Sequence, residues 1–414
     1  MANQMLFQAG NSLTTGSFFN YFASGFHPSA FWLSVLMIIP ETMQAISVLA
    51  YRFFFQGKQR KRTWLAGVIA ARGFALLIPL SLLFPTDAGQ QLTPILWIAV
   101  WTTAWYLAQG IAYVNYLSWL SDLAPRSRWG HLFSWRQMAG LMISIFVPLG
   151  TLMLRRRVLS QLPDEAERWS YAIIFTTGGL LALLSIFPLL KLPDVPLPRQ
   201  RQPIQRLTIH WREMWENKSF RYLLASRWTA AFFQGLTQSV LFKYAYDILK
   251  IPIETYLILV SFMLVLQLPI SWIAGRLCDS QQDCTGLFIG FLIASLAMPC
   301  WLMAKAETWW WLIVAYACWG SFALVNICGT SFCLKLAPRG SNLGHLAFYE
   351  QVSGLIAGLS GLLGGAVLSA LLANTDSSAL TGTGLVASFH LLMIISWMGR
   401  IIAPLWLLAI RRDN

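Results

Sequence analysis

The stretch LAPRSRWGHLFSWRQMAGL at Leu123–Leu141 recurs as LAPRGSNLGHLAFYEQVSGL at Leu336–Leu355. The second copy begins 213 residues after the first (336 minus 123), and one inserted residue makes the later offset 214 (344 minus 130). This offset is close to half of the 414-residue chain. Self-similarity at a fixed period indicates an internal repeat. We therefore predict one structural unit that is present twice and joined in tandem.

The composition predicts an integral membrane protein. Hydrophobic residues make up 57% of the chain and charged residues 11%, whereas ordinary soluble domains carry about 25% charged residues. Each membrane span needs roughly 20 apolar residues to cross a hydrocarbon layer about 30 Å thick. We predict twelve helical spans in the lipid bilayer, at residues 5–25, 29–54, 63–84, 93–119, 132–154, 169–190, 220–246, 254–275, 285–304, 308–334, 348–372 and 384–408.

Basic residues are concentrated in segments that share one side of the bilayer if there are twelve spans. These segments are Arg52–Arg62, Lys191–Arg221 and the pair Arg411 and Arg412. The positive-inside rule assigns that side to the cytoplasm, so both termini are expected to be cytoplasmic in a bacterial inner membrane. The net charge of +13 then needs no nucleic-acid partner. Arg155–Arg157 fall on the outer side in this topology and conflict with the rule.

A long polar stretch divides the chain into a bundle at 1–190, a cytoplasmic linker at 191–219 and a second bundle at 220–414. Within the linker, Ile204–Trp215 mixes apolar and basic residues, which fits either a short interfacial helix or a solvated connection. All six cysteines lie in the second half without metal-ligand spacing. We interpret them as small apolar filler and predict neither a metal nor a cofactor.

A G-x-L-x-D pattern follows the eighth predicted span, at Gly275, Leu277 and Asp279, with Arg276 inside it. Arg52 is its counterpart in the first half, where the glycine and the aspartate are missing. With the twelve spans, the repeat and the central linker, this pattern resembles the major facilitator superfamily over essentially the whole chain. The resemblance implies an all-α integral membrane fold of twelve transmembrane helices, arranged as two pseudo-symmetric six-helix bundles.

One pattern of drug/proton antiporters within that family is incomplete here. Their fourth helix often carries R-x-x-Q-G, and this chain has Gln109 and Gly110 but places Tyr106 at the arginine position. This departure argues against a typical multidrug/proton antiporter.

Charges at equivalent positions of the two repeats have opposite signs. Asp122 corresponds to Lys335, and Arg136 corresponds to Glu350. The resemblance implies that such charges act with the G-x-L-x-D loop as a latch between the halves on the cytoplasmic side. The alternative is a set of solvated loop charges, since exposed pairs contribute only about 0–1 kcal/mol each. The predicted latch comprises Arg52, Asp122, Arg136, Arg276, Asp279, Lys335 and Glu350.

Charged residues within the spans are candidates for binding an ion or a solute, because a central charge is costly in a membrane. Glu41 lies near the middle of the second span, directly after Pro40, and fits either a proton-binding carboxylate or a glutamate paired with an arginine. Arg72 in the third span and Arg227 in the seventh either bind solute, pair with an acid or snorkel to the cytoplasmic edge. Arg400 is a weaker candidate for binding an ion or a solute, because the twelfth helix is usually peripheral in the family.

Neutral polar residues of the spans form a second set of candidates. An unpaired amide or hydroxyl is costly in hydrocarbon, so these side chains are expected either to face the interior or to hydrogen-bond between helices. The set comprises Asn11, Thr15, Asn20, Tyr113, Asn115, Gln234, Gln238 and Asn326.

We predict a secondary active transporter that moves a small organic solute across the inner membrane by alternating access. The chain has no glycine-rich phosphate-binding loop, so an ion gradient is expected to supply the energy, and Glu41 favours a proton over sodium. An enzyme is not predicted, because no paired carboxylates, histidine cluster or nucleophile motif falls on a shared face. The alternative is a non-transporting accessory or assembly factor of the same fold. A monomer is expected.

Overall fold

A computed structural model describes residues 2–54, 60–84, 92–123, 129–159, 166–190, 215–337, 342–373 and 382–412, and all regular structure within these ranges is helical. A helix satisfies its backbone hydrogen bonds internally, which a chain in lipid requires. The helices fall into twelve segments, and each segment overlaps one of the twelve predicted spans. The all-helical prediction is therefore confirmed for the described residues.

The first six segments are made of one or two helices each. In order they are Ala2–Thr14 with Gly16–Ser24, Ala30–Phe54, Arg60–Leu77 with a 3-10 turn at Ile78–Leu83, Leu92–Leu123, Trp129–Leu159, and Ala166–Leu184 with Phe187–Leu190.

The remaining six segments follow the same plan. In order they are Lys218–Lys243 with a π turn at Tyr244–Ile248, Ile253–Asp279, Asp283–Ser295 with Ala297–Met303, Trp311–Trp319 with Phe322–Leu336, Asn342–Ala373, and Gly382–Arg412.

Ten stretches of the described chain are long and apolar enough to cross a membrane by length and composition alone. The first and seventh segments are not among them. The first is divided into helices of 13 and 9 residues, and the seventh carries Arg227, Gln234 and Gln238. The first segment is thus too interrupted to meet the length requirement, and the seventh is unusually polar for a membrane helix.

The first segment breaks at Thr15 and Gly16. Thr15 has an extended backbone, and Gly16 adopts φ +58°, which is accessible to glycine at little cost. The Thr15 backbone N–H and hydroxyl both donate to the carbonyl of Asn11, at 2.9 Å and 2.7 Å. The carbonyl at the end of the first helix is therefore satisfied locally, and a new helix begins at Gly16.

The chain divides into two compact units. The first comprises Met1–Pro198 together with Ile253–Ile258, and the second comprises Arg199–Pro252 and Leu259–Asn414. In the first unit, Trp64 and Tyr116 pack with their rings 6.3 Å apart, which joins the third segment to the fourth.

Close backbone contacts hold the helices of each unit together. In the first unit, a β-carbon at Gly10 would collide with the backbone of Gly178 in the sixth segment. In the second unit, a β-carbon at Gly364 would collide with the carbonyl oxygen of Leu236 in the seventh segment. Small residues allow such approach between membrane helices, so the glycine at 364 is explained by packing.

Candidate functional site

Among the described residues, the polar side chains that are exposed in the interior of apolar segments include Glu41 in the second segment, Tyr113 in the fourth, Gln234 in the seventh and Asn326 in the tenth. Ionisable and amide groups are costly against lipid and normally face protein or water at this depth. Two of the four lie in each unit, so each unit presents polar surface within its spans.

The first segment contributes further candidates around its break. Asn11 and Asn20 are half-buried, and the Thr15 hydroxyl is committed to the Asn11 carbonyl. Gln238 in the seventh segment is half-buried as well. The side chain of Asn115 lies outside the described part of the structure.

Arg72 is buried in the first unit, with 3% of its surface exposed. It lies about 18 Å along the third segment from Arg60, at 1.5 Å per residue. Its guanidinium stands over the ring of Phe7 with 4.9 Å from Cζ to the ring centroid. Tyr106 of the fourth segment is close enough to interact electrostatically with it. The residue at the incomplete R-x-x-Q-G motif therefore lies beside a guanidinium that comes from another helix.

Arg227 and Glu350 form an ion pair in the second unit. Arg227 Nη2 donates to Glu350 Oε2 at 3.3 Å, and the two side chains are 21% and 42% exposed. The Arg227 guanidinium also stands 5.5 Å from the ring centroid of Tyr349. The pair joins the seventh segment to the eleventh and leaves part of the carboxylate accessible.

The residues of the predicted latch occupy different environments. Asp279 is exposed at the end of the eighth segment. The guanidinium of Arg276 stands over the ring of Trp272, with 3.6 Å from Cζ to the ring centroid. Lys335 donates to Asp283 Oδ2 at 2.6 Å and to the carbonyl of Cys278 at 2.8 Å. The side chains of Arg52, Asp122 and Arg136 lie outside the described part of the structure.

The structure also reveals polar clusters that the sequence analysis missed. Arg400 is buried and donates to the hydroxyls of Thr237 at 2.9 Å and Ser396 at 3.1 Å. Ser396 in turn donates to the carbonyl of Phe233. Thr237 and Ser396 are ordinary residues of apolar helices, and only their position opposite Arg400 makes their hydroxyls its acceptors. No sequence motif signals such a pairing between segments.

Arg155, the first arginine of the predicted outer cluster, is buried in the first unit. Its Nε donates to the Ser170 hydroxyl at 3.0 Å, and its guanidinium stands 4.5 Å from the ring centroid of Tyr171. Its Nη1 lies 3.3 Å from Glu254, in the short stretch that groups with this unit. Arg156 and Arg157 are exposed. The conflict with the positive-inside rule therefore remains, because that rule counts lysines and arginines whether or not they have acidic partners.

A family model for the major facilitator superfamily matches residues 1–367. This chain belongs to the major facilitator superfamily. A comparison with curated proteins found no match.

Solved structures of transporters resemble the chain along nearly its whole length. A bacterial homologue of the human lysosomal transporter Spinster has a TM-score of 0.70 at 14% identity, covering 100% of this chain and 95% of its own. A D-xylose–proton symporter has a TM-score of 0.70 at 15% identity, with coverage of 98% and 95%. A mutant of the nucleoside transporter NupG has a TM-score of 0.69 at 13% identity, with coverage of 99% and 98%. At these low identities, the TM-scores establish a shared fold.

Proposed function

We propose that this protein is a secondary active transporter that moves a small organic solute across the bacterial inner membrane by alternating access. Membership of the superfamily supports a membrane transporter. The observation that carries the proposal is the exposed polar surface within the spans of both units, formed by Glu41, Tyr113, Gln234 and Asn326. A helix that met only lipid would lose stability by exposing these groups, whereas a helix that lines a solute path requires them. The chain acts as a monomer and catalyses no covalent reaction.

A proton gradient is the proposed energy source, with Glu41 as the proton-binding carboxylate. Glu41 is exposed and follows Pro40 inside a 25-residue helix. Proline leaves a backbone carbonyl without its usual partner, which favours polar surroundings. Glu350 is the second candidate, since its carboxylate pairs with Arg227 and is 42% exposed.

The proposed orientation places both termini in the cytoplasm. The distribution of lysine and arginine along the sequence supports this orientation. Single cysteines at Lys58 and Arg201 should react with an impermeant maleimide only from the cytoplasmic side. Labelling of either position from the periplasm would contradict the proposed orientation.

Purified protein in liposomes tests the function directly. A proton gradient is imposed, a mixture of metabolites is supplied outside, and the internal solution is analysed by mass spectrometry. At least one solute should accumulate, and its accumulation should disappear when an ionophore collapses the gradient. Protein-free liposomes control for leakage. Absence of flux, together with a stable stoichiometric partner after gentle purification, would instead support the accessory role.

A further inference from the structure

We propose that Arg72 binds the anionic group of the transported solute, so that the substrate class is an organic anion with a carboxylate or a phosphate. This inference rests on the proposed transport function and adds the substrate class to it. It starts from the buried guanidinium in the middle of the third segment.

Arg72 carries a charge for which the described part of the protein supplies no counterion. The side chain is 97% buried, and its Nε is fully buried without a hydrogen-bond acceptor. The ion pairs found among the described residues include none that involves Arg72. Buried charges are normally paired, because their desolvation is otherwise uncompensated. A bound anion would supply the missing partner.

The other buried arginines of the described chain differ from Arg72 in this respect. Arg155 donates to the Ser170 hydroxyl and pairs with Glu254. Arg400 donates to the hydroxyls of Thr237 and Ser396. Among the described residues, Arg155 and Arg400 therefore have hydrogen-bond acceptors, whereas the buried Nε of Arg72 has none.

The surroundings of Arg72 suit an anion with several oxygens. Tyr106 places a phenol close to the guanidinium, and Phe7 covers one face of it. Asn11 lies one helical turn after Phe7 on the same face of the first segment, and Gln109 lies one turn after Tyr106 on the fourth. Phenol and amide groups donate to oxygens that the guanidinium leaves unoccupied. A planar guanidinium binds carboxylate or phosphate through two parallel hydrogen bonds.

Thermal unfolding in detergent tests this assignment. Succinate, citrate and glucose 6-phosphate are titrated against glucose and choline at constant ionic strength. At least one anionic probe should raise the unfolding midpoint of the wild type in a saturable manner, and neither glucose nor choline should do so. Arg72→Gln should abolish the shift. Arg400→Lys is the matched control, since it alters a buried arginine that already has partners, and it should retain the shift.

Several outcomes would overturn the proposal. They are an absence of any anion-dependent shift in the wild type, persistence of the shift in Arg72→Gln, and a shift given by phosphatidylglycerol but by none of the soluble anions. The last result would assign Arg72 to a lipid headgroup. If Arg72→Gln does not fold, Arg72→Lys keeps the charge without the planar donor pair and should raise the half-saturating anion concentration about tenfold. An unchanged half-saturating concentration would again contradict the site.

The failure of this inference and the failure of the transport proposal can be distinguished. Gradient-driven flux of a neutral or cationic solute, without anion binding, would contradict the role of Arg72 and support the transport proposal. Anion binding that depends on Arg72, without any flux in liposomes, would support the anion site and contradict the transport proposal.

Discussion

Lys335 Nζ lies 2.6 Å from Asp283 Oδ2, and the two partners are buried to very different extents. The Asp283 side chain is 3% exposed, whereas that of Lys335 is 34% exposed. Asp283 also begins the ninth segment, where the helix dipole favours a negative charge. The lysine therefore neutralises a carboxylate that cannot reach water by itself, while the amine can turn toward solvent if the acid is removed.

This asymmetry predicts unequal effects of the two single substitutions. Lys335→Met should leave a buried carboxylate without its cation and cost about 3–5 kcal/mol. Asp283→Asn should cost about 1 kcal/mol, because the amide keeps hydrogen bonds and the lysine remains hydrated. Thermal unfolding midpoints in detergent should rank wild type above Asp283→Asn, and Asp283→Asn above Lys335→Met. The reverse order for the two variants would mean that the ammonium is the group that needs a partner.

The hydroxyl pair around Arg400 should be important for stability. Thr237→Val keeps the shape and removes one acceptor from a buried guanidinium, which should cost about 1–3 kcal/mol. Thr103→Val is the matched control, since the Thr103 hydroxyl donates only to the Ala99 carbonyl of its own helix. Comparable losses for both variants in thermal unfolding would show that Arg400 does not depend on Thr237.

Two glycines of the second unit should respond differently to alanine. Gly364→Ala should force the eleventh segment away from the Leu236 carbonyl and cost about 1–3 kcal/mol. Gly275→Ala should leave the unfolding midpoint unchanged, because a β-carbon there meets nothing within 4 Å. If Gly275→Ala nevertheless impairs transport, the glycine of the G-x-L-x-D motif is needed in a conformation other than the one described.

Glu41→Gln tests the proposed proton coupling. The amide keeps the size of the side chain but cannot exchange a proton. Gradient-driven accumulation should fall by about tenfold or more, whereas exchange of labelled for unlabelled solute should stay within about twofold.

Two further variants serve as comparisons for the accumulation measured with Glu41→Gln. Glu307→Gln alters an exposed acid between the ninth and tenth segments and should behave like the wild type. Should Glu41→Gln accumulate solute normally while Glu350→Gln does not, the coupling carboxylate is the one paired with Arg227.

The spans could be predicted from the sequence because hydropathy is a local property. About 20 consecutive apolar residues are required wherever a helix crosses the membrane, and the twelve predicted spans each contain an observed helix. The position of the break at Thr15 and Gly16 was not predicted, although Asn11, Thr15 and Asn20 of the first span were selected as polar candidates. A single glycine with positive φ leaves no periodic signal.

The side-chain partners could not be predicted, because they depend on how separate helices face one another. Asp283 and Lys335 are 52 residues apart, and Arg400 and Thr237 are 163 residues apart. Their pairing follows from the rotation and depth of each helix, which neither charge nor hydropathy specifies. Arg227 and Glu350 were both selected as candidates from their charge, but not as partners. The latch itself stays a prediction.

The interruption of the first segment also provides a natural reporter of water access. A helix leaves its first four backbone N–H groups without intrahelical acceptors, and the helix that begins at Gly16 starts in the interior of a membrane-spanning segment. The Thr15 amide donates to the Asn11 carbonyl, which leaves the amides of Gly16–Phe18 without helical acceptors. These amides should exchange their hydrogens for deuterium whenever this depth is hydrated, while those of an unbroken helix stay protected. Hydrogen exchange at these three positions would then follow the opening of the protein without any added label.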